Sequence, residues 1–169
     1  MQPFISIGLH VWALVVCTLI NAMKKREEFV DLSEYMTAQE MWESYSQKEN
    51  ITADYDAWAF GDDPDELARL VSAGIKTATA SAAIWYDLEG EPLPEAGQYS
   101  VILDTREEAV CIIKTQKVFV VPFRDVDAVQ AWKEGEGDRS LSYWRSVHAR
   151  FFREELAQAG IAFDESMNV

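Results

Sequence analysis

The segment YSVILDTREEAVCII, residues 99–113, holds two apolar runs with a short polar stretch between them. The first run, 99–104, predicts a β-strand. Thr105-Arg106-Glu107-Glu108 has the length of a four-residue hairpin turn, although it lacks the glycine that often helps one. The second run, 109–113, is apolar at every position, which is typical of a strand buried on both faces. These residues therefore predict a β-hairpin inside a packed sheet.

The sequence on either side of this hairpin predicts helices, over residues 38–48, 64–73, 127–133 and 141–157. Thr37 and Glu40 form a capping box before the first helix, and Ser140 or Asp138 caps the last. Further short strands are expected within 75–81, 118–121 and 161–163, and an ordered loop over 87–98. Because helices and strands do not alternate regularly, the order predicts an α+β fold around a mostly antiparallel, curled sheet.

The N-terminal segment has a different character, since 15 of the 20 residues from 4 to 23 are apolar and a basic run, 24–26, follows. About 20 such residues can cross a bilayer, and the basic run would keep the following residues in the cytoplasm. We expect a helical segment that is either a membrane anchor or a dispensable extension. A cleaved signal peptide fits poorly, because no basic residue precedes the run and no small-residue cleavage site follows it. Residues 1–35 are therefore interpreted as a leader and linker, and 36–169 as one domain.

Composition restricts the function. The formal net charge is −14, from 15 basic and 29 acidic residues, and such a field repels long DNA and RNA. A nucleoside or a short RNA in a local basic groove remains compatible with it. Cys17 and Cys111 are expected to be unpaired thiols in a reducing, cytoplasmic compartment. His10 and His148 have no zinc-ligand spacing, so neither a metal nor another cofactor is expected.

Three groups of residues are candidates for chemistry. GIKTAT, residues 74–79, places Lys76 after a helix end and Thr79 three residues later, although the pattern alone is typical of a surface lysine. KEGEGDRS, residues 133–140, is an acidic loop that suits pairing with a lysine better than binding a metal, unless it is simply solvated. The end of this loop and the following helix carry a local excess of arginine, formed by Arg139, Arg145, Arg150 and Arg153. These side chains could guide one phosphate or a short RNA, or they could pair with nearby acids.

Taken together, five segments resemble the ASCH domain family and cover roughly residues 36–169 in the family's order. They are YDAWAFG (55–61), GIKTAT (74–79), EGEPLP (89–94), VFVVPF (118–123) and EGEGDRSLSYWR (134–145). The resemblance implies a PUA-like β-barrel with helices beside it and a cleft associated with RNA. Family members usually continue into a further strand beyond residue 169, so the domain is expected to lack its final strand and to leave a sheet edge open.

The resemblance also implies a site. One branch of the family looks like an amidohydrolase of N-acetylated cytidine, whose lysine, threonine and distant glutamate match Lys76, Thr79 and Glu136, with Glu134 as a rival for the last. The implied roles are attack by Thr79 on an amide carbonyl, activation by Lys76, and orientation or proton transfer by Glu136. A lysine acts as a base only if its pKa falls well below about 10.4, which desolvation can cause.

Other residues and functions follow from the same resemblance. Candidate ligand-binding residues are Trp58, Arg139, Ser140 and Arg145. A second branch looks like a ribonuclease, for which Lys76 and Ser140 would be the residues of interest. A non-catalytic module that binds RNA through the barrel cleft is the alternative from a different class.

Overall fold

The segment 99–113 forms the hairpin that its pattern predicts. In the computed structural model, which describes residues 15–19 and 36–169, strand β4 (Tyr99–Leu103) pairs antiparallel with strand β5 (Ala109–Val118). The turn between them closes with the Asp104 amide donating to the Glu108 carbonyl at 2.9 Å. Glu107 supplies the left-handed conformation there (φ 63°) in place of a glycine.

Five strands form one sheet in the order β2-β4-β5-β1-β3, where β1 is Val15–Leu19, β2 is Tyr55–Ala59 and β3 is Ala78–Thr79. Strand β2 runs parallel to β4, and the other neighbours are antiparallel. The predicted α+β class and mostly antiparallel sheet are confirmed. Among the described residues no pairing joins the two edge strands, β2 and β3, so closure into a barrel stays a prediction.

The leader contributes a strand where a helix was expected. Strand β1 lies between β5 and β3, with Val15 opposite both Val118 and Thr79. The sequence VVCTL is rich in β-branched residues, and two neighbouring strands offer it backbone partners that a helix would not use. The helical prediction is therefore wrong for residues 15–19. The rest of the predicted span over 4–23 lies outside the described residues. Within the part of the chain that the structure describes, no helix is long and apolar enough to cross a membrane.

The four predicted helices are confirmed as α1 (Ala38–Glu49), α2 (Pro64–Ser72), α4 (Ala128–Glu134) and α5 (Leu141–Gln158). The Thr37 hydroxyl accepts from the Glu40 amide while the Glu40 carboxylate accepts from the Thr37 amide, which completes the capping box. Ser140, one of the two caps considered, begins α5 by accepting from the Tyr143 amide at 3.1 Å.

Three predicted segments differ. Residues Ile84–Glu89 form a helix, α3, that overlaps the expected loop. Strand β5 continues to Val118, so 118–121 is not a separate strand, and Phe119 and Val120 are exposed. The polar residues 114–117 look like a break in the sequence, but they continue the strand, with Thr115 buried and both Gln116 and Lys117 exposed. Residues 161–163 form no strand, and the chain end pairs instead with 121–123 through backbone hydrogen bonds.

The hairpin is covered on both faces, as its apolar run predicts. Val101 and Ile112 pack with Trp42 and Tyr45 of α1. On the opposite face, Ile102, Cys111 and Ile113 pack against α2 and Phe60. A third apolar cluster centres on α5 and Phe123, a residue of the 3-10 turn Phe123–Asp125. The space between the α2 side of the sheet and α5 is where the candidate site lies.

Candidate functional site

Lys76 is held in the interior by the turn that ends α2. Gly74 adopts a left-handed conformation (φ 74°), and the amides of Ile75 and Lys76 both donate to the Leu70 carbonyl. The Thr77 amide then donates to the Lys133 carbonyl at 2.7 Å, which ties this segment to the end of α4. Only 2% of Lys76 is exposed, so the surface-lysine interpretation is wrong.

The Lys76 ammonium binds two carboxylates. Its Nζ atom donates to Glu134 Oε2 at 3.0 Å and to Glu136 Oε1 at 2.7 Å. The Phe60 ring lies 5.5 Å away, within the range of a cation–π contact. A buried charge needs this much compensation, because removing an ammonium from water costs several kcal/mol. The acidic loop therefore pairs with a lysine, which is the interpretation that the sequence favoured over metal binding.

Glu134 is the better buried of the two carboxylates and accepts hydrogen bonds from several elements. Trp144 Nε1 donates to its Oε1 at 2.7 Å and Gln130 Nε2 at 3.0 Å, while His148 Nε2 lies 3.4 Å from Oε2. Burial alone would raise the pKa of Glu134, but the Lys76 ammonium and the neighbouring His148 and Gln130 outweigh it and hold that pKa well below its usual range. Glu134 is therefore a fixed carboxylate.

The same balance governs the lysine. Burial lowers the pKa of Lys76, but the charges of Glu134 and Glu136 raise it by more, so the pKa lies above its ordinary value. This direction is the opposite of the one that a general base needs. At neutral pH Lys76 is therefore a cation that can stabilise a developing negative charge.

Two glycines shape the loop that carries Glu136. Gly135 has φ 73°, and a Cβ there would lie 2.6 Å from the Ile75 carbonyl oxygen. Gly137 has φ 51°, and a Cβ there would clash with the Tyr143 ring. Close approach and left-handed backbone both require glycine at these positions. The loop can thus turn the Glu136 side chain back onto Lys76, with 16% of that side chain exposed.

The three predicted catalytic residues line one pocket. Lys76, Thr79 and Glu136 share it with His148, Asp62 and the apolar side chains of Phe60, Leu67, Val147 and Phe151. The empty space is about 390 Å³ with the open solvent at its mouth included. Strand β3 begins only at Ala78, so the irregular backbone before it lets residues 76 and 79 face the same pocket.

The four predicted ligand-binding residues lie elsewhere and do not line this pocket. The Trp58 ring packs edge-on against Phe60 at 5.2 Å. Ser140 caps α5, and the Arg139 guanidinium lies 4.9 Å from the centre of the Trp132 ring. Arg145 donates to the carbonyl of Arg124 at 2.8 Å.

His148 and Asp62 are polar pocket residues that the sequence did not assign to the site. His148 is buried and stacks on Trp144 with ring centres 4.2 Å apart, as expected of a core residue, but it also contacts Glu134. The only available signal was helical spacing, which places residues 144 and 148 on one face of α5 and 130 and 134 on one face of α4. That these faces meet at Lys76 depends on the fold.

A cation-binding cluster coincides with the lysine. Glu134, Glu136 and His148 each offer a ligand atom, and these atoms lie within 4.8 Å of one another. A set of carboxylates and an imidazole can bind a divalent metal. Here the Lys76 ammonium already bonds to both carboxylates and would repel such an ion at the same place. We therefore assign the cluster to the lysine.

The family model described as the ASCH domain matches residues 56–169. The chain is 38% identical to a protein from Enterococcus faecalis known from a crystal structure, with a TM-score of 0.72, over 78% of this chain and 82% of that one. It is 31% identical to an ASCH domain from Lactobacillus crispatus, also a crystal structure, with a TM-score of 0.72, over 80% of this chain and 92% of that one. No curated protein matches the sequence.

Proposed function

Since the chain belongs to the ASCH domain family, we propose that it is an amidohydrolase that removes the acyl group from an N-acylated cytidine. The observation that carries this proposal is the shared pocket of Thr79, Lys76 and Glu136. It combines a hydroxyl, an ammonium and a partly exposed carboxylate, which are the groups needed for acyl transfer.

In the proposed first step, the Thr79 hydroxyl oxygen bonds to the amide carbonyl carbon and its proton passes to Glu136. The carbonyl oxygen becomes an oxyanion, and the Lys76 ammonium stabilises it. A fixed positive charge in a partly desolvated site is effective there because it needs no reorganisation. Glu136 is the base in this scheme because the raised pKa of Lys76 keeps the amine protonated.

In the second step, the C–N bond breaks and Glu136 returns the proton to the leaving amine of the cytosine. Thr79 is left as an ester of the acyl group. A water molecule then attacks this ester while Glu136 takes its proton. The C–O bond to Thr79 breaks, and Glu136 returns that proton to the Thr79 oxygen, so the carboxylic acid leaves and both residues regain their starting forms. Glu134 does not touch the substrate in this scheme. It is a positioning residue that keeps Lys76 charged and in place.

A small heterocyclic amide suits the rest of the pocket. The aromatic side chains of Phe60 and Phe151 and the aliphatic ones of Leu67 and Val147 line it, and they can contact the faces of a base. The chain's net charge of −14 disfavours a long polyanion. A free nucleoside satisfies both conditions.

The ribonuclease and the RNA-binding module gain less support. The arginines that would contact phosphate already have partners, since Arg145 bonds to a backbone carbonyl, Arg139 covers Trp132, Arg150 pairs with Asp62 and Arg153 lies over Phe163. Salt-dependent binding of short RNA without any turnover of acylated cytidine would favour the binding module instead.

The decisive variant is Thr79→Ala. We expect it to fold normally and to release acetate from N4-acetylcytidine at least about 1,000-fold more slowly than the wild type, because the nucleophile is gone. Initial rates of acetate and cytidine formation measure this.

The matched control is Thr105→Ala, which removes an exposed threonine hydroxyl bonded to Asp65. It should keep wild-type activity. Full activity of Thr79→Ala would rule out the nucleophile, and an inactive wild type would rule out the amidohydrolase.

A further inference from the structure

The pocket has a deep end and a mouth with different chemistry. Lys76, Thr79 and Glu136 have side chains that are at most 16% exposed, whereas the side chain of Asp62 is 49% exposed. Apolar residues line the same pocket. A ligand whose reacting group reaches Lys76 can therefore extend toward Asp62, a more exposed residue of the same lining.

We infer that Asp62 recognises the sugar hydroxyls of a nucleoside and so makes the site selective for nucleosides over free bases and nucleotides. This inference rests on the proposed function, because it assumes that the base is the group at the deep end. It gives Asp62 a role in specificity and none in the bond-breaking steps.

Asp62 differs from the neighbouring acids, because it caps no helix and accepts from no backbone amide in the described residues. Asp63 caps α2 by accepting from the Glu66 amide, and Asp65 accepts from the amide and hydroxyl of Thr105. Asp62 follows the end of β2, lines the pocket and pairs with Arg150 of α5 at 3.4 Å. Both partners of this pair are about half exposed, so the pair contributes little to stability.

The Arg150 contact has a geometric effect. It links the loop after β2 to α5, and both elements line the pocket, through residues 61 and 62 and residues 147 and 151. It also satisfies only part of the hydrogen-bonding capacity of the carboxylate, since two oxygens offer about four acceptor positions. Asp62 can therefore accept from sugar hydroxyls while it stays paired with Arg150.

A carboxylate is a suitable partner for a sugar and a poor one for a phosphate. Acidic residues bind ribose hydroxyls in dinucleotide-binding folds, where the carboxylate accepts from the 2′-hydroxyl. Glu134, Glu136 and Asp62 give three negative charges against two positive ones from Lys76 and Arg150, a net −1 before His148 is considered. A phosphate brings a further charge of about −1.5 to −2 and is repelled.

The test compares N4-acetylcytidine, its 5′-monophosphate and N4-acetylcytosine, which has no sugar, in the wild type and in Asp62→Asn. We expect the wild type to prefer the nucleoside to the free base by at least about 10-fold in kcat/KM, the value of one hydrogen bond to a charged group. Asp62→Asn should raise KM for the nucleoside about 10-fold, leave kcat within about 2-fold, and leave KM for the free base unchanged. Asp62→Asn should also reduce the ratio of kcat/KM for the nucleoside to kcat/KM for its 5′-monophosphate.

Two further variants separate recognition from charge and packing. Asp56→Asn removes the same charge from an exposed position of β2 and should change neither preference. Arg150→Gln removes the partner of Asp62 but keeps the carboxylate, so the preference for the nucleoside should persist. Equal kcat/KM for nucleoside and free base in the wild type, or an unchanged preference in Asp62→Asn, would overturn the inference.

Equilibrium binding distinguishes this inference from the proposed function. Calorimetric titration with cytidine and with cytosine requires no turnover. If N4-acetylcytidine is not hydrolysed but cytidine binds about 10-fold more tightly than cytosine and loses that advantage in Asp62→Asn, the amidohydrolase fails and the role of Asp62 stands. If N4-acetylcytidine is hydrolysed but cytidine binds no more tightly than cytosine, the amidohydrolase stands and the role of Asp62 fails.

Discussion

Glu134 shows how much a single buried carboxylate can organise. Its oxygens receive the Lys76 ammonium, the Trp144 indole and the Gln130 amide, which come from three separate elements of the chain. Glu136, two residues later, shares the lysine but faces the pocket. Two acids that are nearly adjacent in sequence thus differ in burial, since Glu134 is fully buried and Glu136 faces the pocket.

Glu134→Gln should destabilise the protein by about 3 kcal/mol at pH 7, because it removes one charge of a buried ion pair while Glu136 still compensates the lysine. The pKa of Glu134 is depressed from 4.5, so its contribution is complete above pH 4.5 and is lost as the pH falls below that value. The difference between wild type and variant should therefore shrink below pH 4.5.

Urea unfolding at pH 7 and at pH 3.5 measures this difference. Glu154→Gln, an exposed change on α5, serves as the control and should shift the free energy of unfolding by less than about 0.5 kcal/mol. A difference that stays constant across the two pH values would show that Glu134 is not held ionised.

Lys76 and Thr79 could be proposed from the sequence because their spacing matches a motif. Asp62 and His148 were not assigned to the site, and Glu134 was named only as a rival of Glu136, because their positions arise from contacts between α5, α4 and the loop after β2. The sequence also could not give the direction of the Lys76 pKa. That direction depends on two carboxylates, one of them fully buried, which no local pattern reveals.

At the scale of elements, caps and turns were the predictable part. Thr37, Asp63 and Ser140 begin helices through local hydrogen bonds that sequence spacing encodes. Strand β2 was missed because it pairs in parallel with β4, more than 40 residues away, and such a contact leaves no local signature. The length of β5 was missed for a similar reason, since β1 pairs with its polar half.

The link between α4 and α5 provides an element-scale prediction. Gly135→Ala should destabilise the protein by at least about 2 kcal/mol, because left-handed backbone costs an L-residue roughly 1–2 kcal/mol and the new methyl group also meets the Ile75 carbonyl. Because Glu136 follows directly, the same change should displace it from Lys76 and lower activity.

Gly160→Ala is the matched control. Gly160 also has a positive φ, 70°, but a Cβ there meets nothing within 4 Å. The Gly160→Ala variant should be destabilised only by the cost of left-handed backbone, about 1–2 kcal/mol, and should keep its activity. Thermal unfolding and initial rates of both variants compare the two effects, and equal losses would show that the contact with Ile75 is unimportant.

At the scale of the whole molecule, Glu134 and Glu155 change the free energy of unfolding in opposite directions as the pH rises, because the pKa of Glu134 is lowered and that of Glu155 is raised. Burial raises the pKa of Glu155 to about 7, although a hydrogen bond with Trp85 lowers it in part. The folded protein therefore holds a proton that the unfolded chain has lost between pH 4.5 and about 7. Across that interval this group makes the protein less stable as the pH rises.

Glu155→Gln should remove this effect. At pH 8 the variant should be more stable than the wild type by about 1 kcal/mol, a value reduced from the full shift because the side chain is only half-buried. At pH 4 the two proteins should be equally stable. Urea midpoints across this range measure the difference, and a variant that is less stable at pH 8 would contradict the assignment.

The position of β1 between β5 and β3 has a consequence for biosynthesis. Val15 leaves the ribosome about 100 residues before its partner Val118. At about 5–20 residues per second, the first-made apolar strand waits roughly 5–20 seconds for its neighbour to be translated. During that interval VVCTL lacks the backbone partners that β5 provides in the folded protein, and its amides and carbonyls are open to pairing with other chains.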